Sequence, residues 1–221
     1  MNGYGILLNG VNKEGMITQE NIAELNVLYK DAKPNDIIKG ALELSRDAVV
    51  TTNFRPYEAV ILHAVKMIES EIPVVWCDTG YNTPQTYKHA SWLIKHLGLN
   101  VFLYVPKQTV AYRDSIMGIP GIDDPQHELF TEQVKLEPFK RAMEIHKPKV
   151  WFTNLRKGQT SFRNSIDIFS FSKDGVLKVS PFYYWTDSEL DSYLELNKLP
   201  NEFKYFDPTK ALENRECGLH A

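Results

Sequence analysis

An α/β fold built on a doubly wound, mostly parallel sheet is what this sequence predicts, and three observations predict it. Helical spacing alternates with short β-branched or aromatic runs along most of the chain. No Ser/Gly linker, low-complexity stretch or internal repeat breaks the alternation. The 221 residues, 43% of them apolar and 24% charged, suffice to bury one sizeable core. The expected organisation is a ligand-binding α/β domain over residues 1–200, N-terminal helices included, followed by a mobile C-terminal tail, 201–221.

Ile22, Leu25, Leu28 and Tyr29 have helical spacing after Thr18, and Ile37, Ile38, Ala41 and Leu42 repeat it after Asn35, so two helices precede the first strand. Residues 48–52, AVVTT, read as a buried strand, and Pro56 is expected to open the helix PYEAVILHAVKMIES. Residues 72–78, IPVVWCD, form the second strand, and Thr83-Pro84 caps a helix that reaches Gly98. Residues 100–105 supply a third strand, and 149–153 another after a polar helical stretch from Gln108 to Lys147. Parallel strands joined by helices follow from that order. The turn SKDG between IDIFSF and VLKVSPF predicts a hairpin within 166–182. Thr186 and Glu189 make a capping box for a helix ending near Asn197, and beyond Pro200 no periodicity survives.

A formal charge of −3, from 25 basic and 28 acidic side chains, gives no global attraction to nucleic acid or anionic lipid. Any anion site must be built locally. No apolar run approaches the ~20 residues of a membrane helix. The first residues, MNGYGILLNGVNKEGM, lack the basic and apolar regions of a secretion signal. A reducing cytoplasm, with no membrane or nucleic-acid partner, is the expected setting. Cys77 and Cys217 are too few for a disulfide framework, a thiolate zinc site or a four-cysteine iron–sulfur cluster. The histidines show no metal-ligand spacing, so no metal is expected.

Four segments converge on the carboxyl edge of such a sheet, where ligands bind. In TTNFRP, the hydroxyls of Thr51 and Thr52, the Asn53 amide and the N–H groups leading past Phe54 and Arg55 into a helix suit a phosphate, or form an ordinary polar turn. In Asp78-Thr79-Gly80, the Asp78 carboxylate can accept hydrogen bonds from a ribose or an adenine amine, or cap its own turn. Cys77, inside the same strand, reads as a small buried hydrophobe. The third segment gathers Arg156, Lys157 and Arg163 with Gln159 after a buried strand, a set of cations that binds polyanions or makes a solvated loop; Lys135 can add a fourth charge. The fourth is RECGLH at 215–220, where a thiol on a glycine-followed tail can enter and leave a site. Arg215 and His220 lower the Cys217 pKa in this arrangement, whereas Glu213 and Glu216 oppose them.

Taken together these motifs resemble the 3′-phosphoadenylylsulfate (PAPS) reductase family, the thiol-dependent sulfonucleotide reductases of sulfate assimilation, from Asp47 to the end with a gap. ECGLH at 216–220 is the most specific piece. The family's D-T-G-Y-x-x-P-x-T-Y appears from Asp78 to Tyr87, and its K-x-E-P stands as Lys135, Glu137 and Pro138. Its basic loop looks like Leu155, Arg156, Lys157, Gln159, Thr160 and Arg163, and its K-V-x-P like Lys178, Val179 and Pro181. Three departures stand out. The family's S-S-S-F-G loop is Thr51 to Arg55 here, a glycine being replaced by a bulky cation. The stretch from Pro200 to Arg215, where the family carries a tyrosine-containing lid, is much shorter, and Tyr205 is not assigned to that role. Gly158 replaces a glutamate in the basic loop.

The resemblance implies an adenine nucleotide α-hydrolase-like fold of the PP-loop superfamily and a catalytic Cys217 that attacks the sulfur of PAPS. It implies a Cys217 S-sulfonate resolved by thioredoxin or glutaredoxin, with adenosine 3′,5′-bisphosphate and sulfite as products, no bound cofactor, and a possible homodimer. Family members acting on adenylylsulfate carry extra cysteine pairs for an iron–sulfur cluster, and two cysteines favour the 3′-phosphorylated substrate. The rivals are an adenylylsulfate reductase, a diverged nucleotide-binding protein without catalysis, and an ATP-pyrophosphatase-type enzyme, whose loop needs two glycines that TTNFRP lacks.

Overall fold

The structure, a computed structural model, describes residues 18–210. Helices α1 (Gln19–Tyr29) and α2 (Pro34–Leu44) lead into β1 (Ala48–Thr52). Thr18 caps α1 as expected, but α2 begins at Pro34 with Lys33 as its cap, because a proline at the first helical position has no N–H to leave unsatisfied. Two α–β units follow: α3 (Glu58–Ile68) with β2 (Pro73–Cys77), and α4 (Pro84–Leu97) with β3 (Asn100–Tyr104). Beyond them α5 (Val110–Ile116), α6 (His127–Thr131), a π-helical turn (Glu132–Leu136) and α7 (Glu137–His146) replace the single helical stretch anticipated between Gln108 and Lys147. The chain closes with β4 (Val150–Phe152), the hairpin β5 (Phe169–Phe171) and β6 (Leu177–Val179), and α8 (Asp187–Leu196).

Pro56 does not open α3. It sits second in a turn closed by the Glu58 N–H on the Arg55 carbonyl at 3.2 Å, and Tyr57, third, has φ 69° and ψ −2°. That is type II geometry, in which proline supplies the fixed φ of the second position and the helix starts only afterwards.

The strands form one sheet of order β3-β2-β1-β4-β6-β5, all parallel except the β5–β6 hairpin. Alternation along each strand divides the core between the two faces. Val50, Val74, Trp76, Val150 and Phe152 pack with α2, α3 and α8 on one side, while Val49, Val75, Tyr104 and Trp151 pack with α7 on the other. Phe152 is fully buried, a side chain whose loss to alanine costs about 3–5 kcal/mol. The chain runs outward from β1 through β2 to β3, then returns to place β4 on the other flank of β1. That reversal opens a crevice at the carboxyl ends of β1 and β4.

Helix ends aim the loops around the crevice. Thr83 caps α4 by accepting the Thr86 N–H at 3.1 Å, and its own hydroxyl donates to the Lys204 carbonyl at 2.6 Å. Tyr57 N–H donates to Asn201 Oδ1 at 2.8 Å, and the Phe203 ring meets the Tyr57 ring edge-on. Residues 201–210 are thereby laid across the carboxyl edge of the sheet. Among the described residues no helix is long and apolar enough to cross a membrane.

Candidate active site

A cavity of about 390 Å³ occupies the crevice, within the size range of small-molecule sites. Its floor is the ends of three strands: Thr51 and Thr52 of β1, Cys77 of β2, and Thr153 to Leu155 after β4. Phe139 of α7 and Trp151 supply apolar wall, and the Trp151 indole N–H donates to Thr51 Oγ1 at 2.9 Å. Cations reach it from four separate places: Arg55 after β1, Lys135 in the π-helical turn, Arg163 in the loop after β4, and Lys210. Tyr205, Phe206 and Asp207 complete the lining.

The β1 turn is held by Glu58, the first residue of α3 and only 6% exposed. Its carboxylate accepts from the Thr52 hydroxyl at 2.7 Å, the Asn53 N–H at 2.8 Å and Arg55 Nε at 3.0 Å. With the Asn53 amide turned so that its oxygen accepts the Tyr205 hydroxyl proton at 2.6 Å, its nitrogen donates to both Glu58 oxygens at 3.1 and 3.0 Å. Arg55 Nη2 donates onward to the Asn154 carbonyl at 3.2 Å. Phe54, the fourth residue of the segment, lies outside the cavity. Its φ of 54° swings the ring into the core, fully buried and edge-on to Trp76 at 4.9 Å.

Lys135 forms a buried ion pair with Asp207 and also approaches Thr209 Oγ1 at 3.3 Å. The π-helical turn, in which the Glu137 N–H bonds five residues back to the Glu132 carbonyl, inserts the extra residue that turns Lys135 inward. Burial alone raises the Asp207 carboxyl; the Lys135 charge and hydrogen bond, with Thr209 donors at 2.7 and 3.0 Å, outweigh it and hold the group below the usual carboxylate range. Cys77 behaves oppositely. Burial pushes its thiol up to about 12 despite the nearby charges of Lys135 and Arg141, so it stays protonated and weakly nucleophilic.

Several residues expected at the site are engaged by neighbouring groups of the protein. The Asp78 carboxylate caps its own turn, accepting from the Gly80 N–H at 2.9 Å, Asn82 Nδ2 at 2.8 Å and the Tyr87 hydroxyl at 2.9 Å. Thr79 Oγ1 accepts the Tyr81 N–H at 3.2 Å. Gly80 has φ 83°, and a Cβ there would lie 2.5 Å from Val110, so glycine is required on both counts. Arg156 pairs with Asp187 at 2.6 Å and lies over the Tyr57 ring, while Lys157 lies over the Tyr184 ring. Neither lines the cavity. Gln159 Oε1 accepts from the Arg156 N–H at 3.1 Å and from Arg163, whose side chain it steers. Cys217, Arg215 and His220 lie outside the described residues.

A family model described as phosphoadenosine phosphosulfate reductase domain matches residues 47–206. The chain belongs to the phosphoadenosine phosphosulfate reductase family. Curated relatives include the phosphoadenosine 5′-phosphosulfate reductase of Xylella fastidiosa strain 9a5c, 32% identical over 91% of this chain and 94% of that protein. The Photobacterium profundum enzyme of the same name is 28% identical over 90% of this chain and 88% of its own. Among solved structures, the PAPS reductase of Candida auris, a phosphate complex, superimposes with a TM-score of 0.74 at 22% identity, covering 84% of this chain and 90% of that one. The U34-tRNA thiolase NcsA of Methanococcus maripaludis, at TM-score 0.53 and 11% identity over 81% of this chain and 66% of that one, shares the fold.

Against the pattern of that reductase family, sequence reasoning passed over Glu58, Trp151, Phe206, Asp207 and Lys210 and left Tyr205 unassigned, although all line the cavity. Two signals were present. Glu58 follows Arg55 at a spacing that allows an ion pair, and Asp207-Pro208-Thr209 is an Asx turn, the Thr209 N–H bonding Asp207 Oδ1.

Proposed function

We propose that the protein reduces 3′-phosphoadenylylsulfate to sulfite and adenosine 3′,5′-bisphosphate. The observation that carries this reading is a cavity at the sheet's switch point, lined by four cations, in a chain of the PAPS reductase family. The Cys217 thiolate attacks the sulfuryl sulfur; the bond from sulfur to the phosphate oxygen breaks, and adenosine 3′,5′-bisphosphate leaves with the electron pair. Lys135, Arg163 and Lys210 offset the charge that grows on the leaving phosphate. A dithiol reductant, thioredoxin or glutaredoxin, then attacks Sγ of the Cys217 S-sulfonate. Sulfite departs with two electrons, and the mixed disulfide resolves to free Cys217 and oxidised reductant.

In this reading Cys217 meets the substrate with Arg215 and His220 beside it, and a reducing cytoplasm is the setting such an exchange requires. Cys77 is a poor substitute nucleophile because its thiol remains protonated near neutral pH. The test incubates reduced protein with PAPS in the absence of thioredoxin and follows intact mass. One added SO₃ that disappears in Cys217→Ser is expected; no adduct in wild type refutes the reading. The internal pairing of Arg55 with Glu58 and of Lys135 with Asp207 favours a second reading, a nucleotide-binding protein without turnover. Adenosine 3′,5′-bisphosphate bound without adduct selects it.

A further inference from the structure

We infer that Glu58 is a specificity-determining residue: it fills the β1–α3 turn with an internal carboxylate, so that the site refuses a phosphate or pyrophosphate group there and takes a nucleotide's anionic groups elsewhere in the cavity. In open α/β sheets the turn after a strand at the switch point offers N–H groups and the positive end of a helix to an anion. Here those donors are already engaged. The Thr52 hydroxyl, the Asn53 N–H and amide and Arg55 Nε all point at Glu58, within 2.7 to 3.1 Å. A carboxylate has about four lone-pair sites, which these donors occupy. As the first residue of α3, Glu58 also holds the negative charge that the helix end favours.

Three of the neighbouring backbone N–H groups are engaged independently. Phe54 N–H donates to Thr52 Oγ1 at 3.0 Å, Pro56 has no N–H, Tyr57 N–H donates to Asn201 Oδ1 at 2.8 Å, and Glu58 N–H closes the type II turn at 3.2 Å. A phosphate entering the turn would meet a like charge and donors committed elsewhere, which opposes binding. The inference deepens the proposed function and borrows from it only the identity of the ligand.

Calorimetric titration of the full chain with inorganic pyrophosphate, and separately with adenosine 3′,5′-bisphosphate, tests it in wild type, Glu58→Gln and Glu58→Ser. Glutamine keeps an acceptor of the same shape without the charge, and serine opens space should glutamine fail to fold. Pyrophosphate affinity should rise at least about tenfold in a folded variant. Equal pyrophosphate affinity in wild type and folded variants overturns the inference. So does a wild type that binds pyrophosphate within about tenfold of its affinity for the bisphosphate, a readout that needs no variant. Failure of the SO₃ adduct to form leaves these titrations fully readable, so the two proposals fall separately.

Discussion

Replacing Asp207 by alanine takes away the carboxylate that faces Lys135 while leaving the ammonium in place. The two side chains are 4% and 8% exposed, so solvent offers little compensation. Breaking one side of a buried ion pair costs about 3–5 kcal/mol, most of it the penalty of an uncompensated buried charge. The Thr209 N–H and hydroxyl lose their acceptor as well, at 3.0 and 2.7 Å. For a domain of this size each kcal/mol moves Tm by about 2–4 °C, so Asp207→Ala should lower Tm by roughly 6–20 °C. The assay is thermal denaturation across pH. Because the folded state holds the Asp207 carboxyl below its ordinary value, its contribution is complete above the unfolded pKa and fades as pH falls through the folded one. Wild type should therefore lose its advantage over Asp207→Asn only below about pH 4. A Tm drop under about 3 °C for Asp207→Ala, or a gap between wild type and Asp207→Asn that is flat from neutral pH to the acid limit, would refute the argument that this pair fastens residues 201–210 to the site.

Three further outcomes follow from the geometry. In Cys217→Ser protein at pH 8, Cys77 should react slowly with iodoacetamide while folded and fully in urea, because its thiol is pushed up to about 12; rapid labelling of folded protein counts against that raised value. Phe54→Ala should cost about 3–5 kcal/mol in urea denaturation through the core contact with Trp76; unchanged stability with lost nucleotide binding would contradict its placement outside the cavity. Arg163→Ala should weaken adenosine 3′,5′-bisphosphate binding at least about tenfold and Arg156→Ala much less, since only Arg163 lines the cavity; the reverse order in a titration overturns that assignment.

The strands were legible because a buried strand advertises itself locally: AVVTT is β1, and its alternation alone separates Val49 from Val50 onto opposite faces. Pro56 misleads for a definite reason. A proline at the first position of a helix and a proline second in a type II turn share the same φ, and what separates them is the next residue, Tyr57, whose left-handed conformation no glycine announces. The basic loop shows the larger limit. Its composition reveals three cations within eight positions, but Arg156 turns away because Asp187 and Tyr57 receive it, and Arg163 turns in because Gln159 steers it. Lys135 meets a carboxylate 72 residues away, on a segment with no periodicity of its own. A cation's presence is thus written locally, whereas its direction depends on which distant acid or ring the fold brings within reach. The same reasoning makes Glu58 informative: it reaches the donors of the β1 turn from three residues beyond Arg55, before any ligand arrives, so the site's preference among anions is set partly by a charge the chain supplies itself.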